Sequence, residues 1–400
     1  MLKRWLRGRG AGAASQNVSA VAQTAVLARA MAPGESVDAL YQQAAGAWQA
    51  GAWSDAAALA ERAALLEPDL PSLHYLLGCC RMEQGLDTAV PAFERCLALG
   101  PAHPLLTEAR VQLALCRARA ALAQGAVPPT LALSPECRKS VSVIICSIDP
   151  ARFSRASAMY DALLREVEHE IIGIRDARSL AEGYNRGLAR ARHPITVLSH
   201  DDIEIVSPDF AARLLRSLAR YDVVGVAGTR RMIGEAWHFA GHPHLQGQIG
   251  MPGTDGNTVV NVYGMDQPDS PHLQALDGLF LAMHRDAARD LGFDQATFDG
   301  WHCYDLDFTF RAWLAGLNCA TCNELQIVHA SLGGYDENWL RYAGRFLKKH
   351  EGRIEPAQPG TRKPQLTALP VRSVAEWRLM TAYLVGPTSG LVGPTPGSQA

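Results

Sequence analysis

Residues 195–202 read ITVLSHDD: four apolar or β-branched positions, a polar pair, then two adjacent carboxylates, Asp201 and Asp202. Neighbouring acids disfavour each other's charge, so such a pair at the end of a buried strand needs something to hold. Two carboxylates there form a hard oxygen site of the kind Mg2+ and Mn2+ prefer, often shared with a phosphate. The same residues can instead cap a turn through their side chains. The pair alone does not decide between the two.

The elements that must position them read as an alternation. VSVIICS (141–147) is a near-continuous β-branched run suited to a buried parallel strand. Helical sequence follows to about residue 168. Then come a strand EIIGI (170–174), a helix SLAEGYNRGLARAR (179–192), the ITVLS strand, a helix FAARLLRSLARY (210–221) and a strand VVGVAG (223–228). This pattern predicts an α/β domain with a Rossmann-like, mostly parallel sheet, whose ligands gather at the carboxyl ends of the strands. Ser147, Asp149, Arg175, Asp176, Asp201 and Asp202 all fall at those ends.

Other reactive residues are less pointed. Cys319-x-x-Cys322 has zinc-like spacing, but no second pair stands at a matching distance, and both are expected as core thiols. His238, His242 and His244 form a local cluster that lacks a fourth metal partner. The stretch 241–270 is rich in Gly, Pro, Asn and Asp and predicts a long structureless loop bordering a binding site. Asp305 opens a helix marked by Leu306, Phe310, Trp313 and Leu317, and taken by itself reads as a cap.

Composition narrows the classes. At 400 residues the chain is long for one core, so two domains are the natural division. A net charge of −2 leaves no basic surplus and argues against a nucleic-acid binder. No apolar run approaches the roughly 18 residues of a membrane span. Nine scattered cysteines are no disulfide framework and fit a reducing compartment. A cytoplasmic protein is expected, with association at the inner face of the membrane left open.

The amino-terminal part repeats. Residues 44–68 align with 78–101, pairing Gly51 with Gly85, Ala56 with Ala89, Ala60 with Phe93, Ala63 with Cys96 and Pro68 with Pro101. The offset is 34 residues, falling to 33 at the prolines. Two helices per unit with small residues at their crossing resemble the tetratricopeptide repeat. A third helical stretch, 105–124, continues or caps the stack, and a plain Ala-rich helical bundle is the alternative. Residues 35–125 carry nothing catalytic and present a surface for a protein partner. Before them, residues 1–34 are basic and lack the apolar core of a secretory signal; a disordered leader is expected, with a transit peptide as the other reading. A Pro-rich linker covers 126–140. After a catalytic domain over 141–355, residues 356–400 predict a mostly disordered tail, with a short helical patch near 374–383.

Residues 141–345 resemble the family 2 glycosyltransferases, which have the GT-A fold. The marks come in order: VSVIICS as the first strand; SLAEGYNRGLARA with Asn185 and Gly187; LSHDDIEI at the Asp-x-Asp signature; LDGLFLAMHRD (276–286) as the acceptor-side strand; GFDQATFDGWHCYDLDFTFRAWLAGL (292–317) at the Glu-Asp pair; and IVHASLGG (327–334), a strand ending in a His. Three departures stand out. Ser199 replaces the first Asp of Asp-x-Asp, Tyr304 replaces the Glu of the Glu-Asp pair, and the acidic turn after the second strand is reduced to Arg175-Asp176-Ala177-Arg178.

The resemblance implies a metal-dependent, inverting sugar transfer. Mn2+ or Mg2+ would sit on Asp201, Asp202 and His329 and offset the charge of a diphosphate leaving group. Ser147, Asp149, Asp176, Arg178, Asn185, Asp201 and Asp202 would bind the nucleotide sugar, a UDP-sugar in the first instance. Asp277, Gly278 and Trp301 would face the acceptor, a glycan, metabolite or protein, with Trp301 stacking on a sugar or simply packing in the core. Asp305 would take the acceptor's proton. Asp307 would support the site or pair with Arg311. The other readings are a helical-repeat scaffold whose α/β domain has lost catalysis and, last, a nucleotidyltransferase, for which SIDPARF supplies no Gly-rich phosphate loop.

Overall fold

The structure, a computed structural model, describes residues 36–102, 105–254, 256–331, 334–357 and 365–386. The chain divides into two compact units, residues 1–124 and 125–400. The basic leader 1–34 lies outside the described residues.

Among its described residues the first unit is all helix: α1 (Val37–Gln49), α2 (Trp53–Leu66), α3 (Pro71–Gln84), α4 (Leu86–Ala98) and α5 (Leu105–Ala123). Ser36 caps α1 by accepting from the Ala39 amide at 3.1 Å. Pro71 opens α3, where a missing N–H costs nothing. Successive helices pack on one another. The positions aligned by the repeat, Ala56 with Ala89, Ala60 with Phe93 and Ala63 with Cys96, are all fully buried.

The second unit begins with the expected alternation: β1 (Val141–Cys146), α6 (Pro150–Leu163), β2 (His169–Ile174), α7 (Leu180–Arg190) and β3 (Ile195–Ser199), with β1 parallel to both β2 and β3. There follow β4 (Ile203–Ile205), α8 (Phe210–Leu218), β5 (Val223–Gly225), β6 (Ala227–Thr229), β7 (Leu245–Pro252), β8 (Thr258–Gly264), β9 (Asp269–Ser270), β10 (Ala275–Leu276) and β11 (Phe280–His284). The unit closes with α9 (Arg285–Leu291), α10 (Tyr304–Leu314), β12 (Cys319–Cys322), β13 (Ile327–His329), α11 (Glu337–Lys349), β14 (Thr367–Val371) and α12 (Val374–Val385). One sheet runs β2-β1-β3-β11-β5-β12-β9; the other runs β10-β6-β7-β13-β4, with β8 beside β7 and β14 beside β8. The first sheet is mixed. β11 lies antiparallel to β3 and β5.

Two expectations need correction. The segment 241–270 is not a structureless loop: β7 and β8 form an antiparallel ladder in which Gly250 opposes Val260. Its glycines answer to packing. A Cβ on Gly250 would lie 2.6 Å from the Trp377 ring. Nor are residues 365–371 of the expected tail disordered: they carry β14, which pairs with β8, while the expected helical patch is α12, which buries Trp377, and 358–364 and 387–400 lie outside the described residues. The Trp377 indole donates to Gln248 Oε1 at 2.7 Å. Composition misses β14 because Pro/Gly-rich flanks surround a short strand whose partner, β8, lies about a hundred residues earlier in the chain. The segment 126–140 is likewise anchored: Arg213 and Arg378 donate to the Pro129 carbonyl, and Asp209 accepts from the Leu131 amide.

Candidate active site

β1 and β3 end side by side, and their ends open a cleft of about 340 Å3. Ser147, one residue past β1, donates through Oγ to Asp201 Oδ2 at 2.6 Å. Arg152, in the first turns of α6, stands 3.8 Å from the other Asp201 oxygen. Ile174, Ala177 and Leu180 make much of the remaining wall apolar.

Asp202 serves a different group. Its Oδ1 lies 3.3 Å from His329 Nε2 and 3.9 Å from His200 Nδ1, and the two imidazole nitrogens are 3.5 Å apart. One donor atom from each of these three residues falls within 4.8 Å of the others. The β4–β13 pairing, with His329 opposite Ile203, brings the three together. Burial by itself would raise the Asp202 carboxyl, but the hydrogen bond and charge of His329, with the charge of His200, hold it well below its usual range. His329 is shifted the other way: burial disfavours its charge, and Asp202 more than restores it. His200 is lowered, first by burial and then by His329.

A second cleft, of about 450 Å3, shares His200 and Trp301 with the first. Asp277 and Asp305 lie in it, with Trp237, Tyr263 and Tyr335 among the aromatic lining. Asp305 stands in the first turn of α10, whose N-cap is Cys303 with no capping side chain. Its Oδ2 accepts from the Gly278 amide at 2.8 Å. Gly278 must be glycine there, since a Cβ would meet the Asp305 Cβ at 2.6 Å. Burial, and then the negative charge of Asp277, push the Asp305 carboxyl up to about 7 against the pull of three backbone N–H groups. Asp277 accepts from the Trp237 indole and from the Leu279 amide, both at 3.0 Å.

The structure therefore gathers Ser147, Asp201, Asp202, Asp277, Gly278, Trp301, Asp305 and His329 around two adjoining clefts. The convergent donor set differs from the expected one: His200 joins Asp202 and His329, while Asp201 is drawn aside by Ser147. Four expected nucleotide-sugar ligands line neither cleft. Asp149 caps α6, accepting from the Ala151 and Arg152 amides. Asp176 pairs with Arg186 at 2.7 Å, and Arg178 with Glu182 at 3.6 Å. Asn185 is spent on the Phe293 backbone, bonding both its N–H and its carbonyl at 2.9 Å. Trp301, half exposed, borders both clefts. Cys319 and Cys322 are core thiols pushed up to about 12 by burial. His200 is the member of the convergent His-Asp-His group to which the sequence assigns no role. The signal for His200 was its place beside the acid pair; its partner lies 129 residues away.

Residues 142–349 match the model of the glycosyltransferase-like family. No curated protein matches the chain. Similar solved structures include GalNAc-T7 with UDP, GalNAc and Mn2+ (11% identity, 55% of this chain, 51% of that one, TM-score 0.37). A mannosyltransferase from Pyrobaculum calidifontis, PcManGT, in complex with GDP-Man and Mn2+, is another (12% identity, 75% and 81%, TM-score 0.33), and A197 from STIV a third (13% identity, 48% and 86%, TM-score 0.30). The chain spans about half the length of GalNAc-T7.

Proposed function

This chain belongs to the glycosyltransferase-like family, and on that premise we propose that it moves a sugar from a nucleotide-sugar donor to an acceptor hydroxyl with inversion at the anomeric carbon. The observation that carries this reading is the meeting of the two clefts at His200 and Trp301, with a convergent His-Asp-His group at the junction and a carboxyl raised to about 7 on the far side.

His200, Asp202 and His329 would hold a divalent cation. Two imidazoles and one carboxylate suit Mn2+ or a later transition ion better than Mg2+, which prefers oxygen ligands throughout. When bound, the ion supplies positive charge beside a departing diphosphate. The donor occupies the smaller cleft, with its nucleotide against the apolar wall of Ile174, Ala177 and Leu180; uridine is the base proposed, as the family resemblance implies. Asp201, held by Ser147, faces this donor. The acceptor, a glycan, metabolite or protein, enters the larger cleft, where Trp301 and Tyr335 offer ring faces. Asp305 takes the acceptor proton: a base is most effective when its affinity for the proton lies near the working pH. Attack from the Asp305 side, opposite the donor cleft, inverts the anomeric centre. The helical unit is proposed as a surface for a protein partner. Among the described residues no helix is long and apolar enough to cross a membrane.

The test is a screen of the common nucleotide sugars for slow hydrolysis with Mn2+ present. At least one should be hydrolysed, and a chelator should stop it. Hydrolysis of none, by a folded protein with Mn2+ in excess, would refute the reading.

A further inference from the structure

We propose that Tyr304 is a positioning residue whose hydroxyl holds the His200 ring so that Nδ1, facing Asp202 and His329, keeps its lone pair for a cation. This rests on the metal reading above and adds to it a residue that touches neither ion nor donor.

The geometry is a short chain of hydrogen bonds. His200 Nε2 lies 2.9 Å from the Tyr304 hydroxyl. His200 Nδ1 points the other way, toward His329 Nε2 at 3.5 Å and Asp202 Oδ1 at 3.9 Å. A neutral imidazole carries one N–H, so a proton kept on Nε2 leaves Nδ1 free to bind. For Nε2–H to donate, the tyrosine oxygen must accept, and its own proton needs an acceptor elsewhere. The Gly278 carbonyl provides one, 3.4 Å away. The amide of the same glycine donates to Asp305. One residue of backbone thus ties the cation side of the junction to the base side. The phenol has little freedom: Tyr304 is 3% exposed, and its ring is flanked by Tyr184 at 5.7 Å and Phe293 at 6.1 Å. Tyrosine suits the task because its hydroxyl accepts and donates at once, which an ionised carboxylate at this position cannot do.

Partners that fix a ligand imidazole from behind are typically worth about 10–100-fold in metal affinity. The experiment compares the full-length protein with Tyr304→Phe and His200→Ala, titrated calorimetrically with Mn2+ alone. Tyr304→Phe keeps the ring and removes the hydroxyl, so it should bind Mn2+ roughly 10–100-fold more weakly at nearly unchanged Tm. In parallel, 15N spectra of histidine-labelled protein without metal should show His200 protonated at Nε2 in the wild type and a mixture of tautomers in Tyr304→Phe. Wild-type Mn2+ affinity in Tyr304→Phe overturns the proposal, as does a wild-type His200 protonated at Nδ1. A merely structural tyrosine would lower Tm and leave affinity and tautomer unmoved. If Tyr304→Phe does not fold, the wild-type tautomer decides. Equal Mn2+ binding by wild type and His200→Ala would sink the cation site itself, a result distinct from unchanged affinity in Tyr304→Phe alone.

Discussion

At the scale of single residues, Asp305 carries the sharpest prediction. Asp305→Asn keeps the size and most hydrogen bonding but cannot take a proton, so transfer should fall by about 10²–10⁴-fold while donor affinity stays level. Its carboxyl is raised to about 7 by burial and by Asp277. The base form therefore grows as pH rises through 7, and the transfer rate should rise with it. Stability should move the opposite way. The folded state holds this proton more tightly than the unfolded chain, so the Asp305 contribution favours folding at low pH and is lost as pH climbs from about 4 toward 7. Asp305→Asn should flatten both profiles, and an unchanged rate profile would remove it from the mechanism. The acid pair divides its labour. Asp202→Ala should weaken Mn2+ binding by at least the roughly 10–100-fold that changes behind a ligand cost, whereas Asp201→Ala should leave it nearly intact, because Asp201 is turned to Ser147. Calorimetry on the two variants separates these outcomes. The pair was legible in the sequence as a use of charge; which of the two acids meets the histidines depends on the turn after β3, which no residue type announces.

At the scale of elements, the carboxyl-terminal strand and helix are part of the core of the second unit. Trp377 is 1% exposed, packs against Gly250 and donates to Gln248. Trp377→Ala should cost about 3–5 kcal/mol, the usual range for removing a buried aromatic. Urea unfolding followed by far-ultraviolet circular dichroism reads this directly, and a loss below about 1 kcal/mol would show α12 to be dispensable. The alternation through β1, β2 and β3 was legible because buried parallel strands are β-branched and their helices amphipathic. β7 was not, because Gly247 and Gly250 read as loop residues until the backbone and ring that press on them are known. VVGVAG reads as one strand but splits at Val226 between the two sheets, so its two halves face different neighbours.

At the scale of the whole molecule, the cut between the units belongs before residue 125. A fragment of residues 125–386 should fold and bind UDP with Mn2+ as tightly as the full chain, if the helical unit governs partners and not donor binding. A fragment starting at 138 should be less stable. It strips the Pro129 carbonyl from Arg213 and Arg378 and the Leu131 amide from Asp209, and a hydrogen bond to a charged group contributes about 1.5–3 kcal/mol. Differential scanning calorimetry on the two fragments decides it; equal stability would make 126–140 a true linker. The sequence by itself determined two units of different class, the helical pairs set by a 34-residue repeat, the strand ends where ligands gather, and the acids poised there. These are properties of local spacing, and local spacing is written in the chain. Only the tertiary structure decided that His200, Asp202 and His329 converge, that Asn185 is spent on Phe293, and that Asp305 lies close to Asp277 with its proton affinity raised. Each of these depends on a strand pairing or a helix end that joins residues far apart in sequence, and burial and charge act through space.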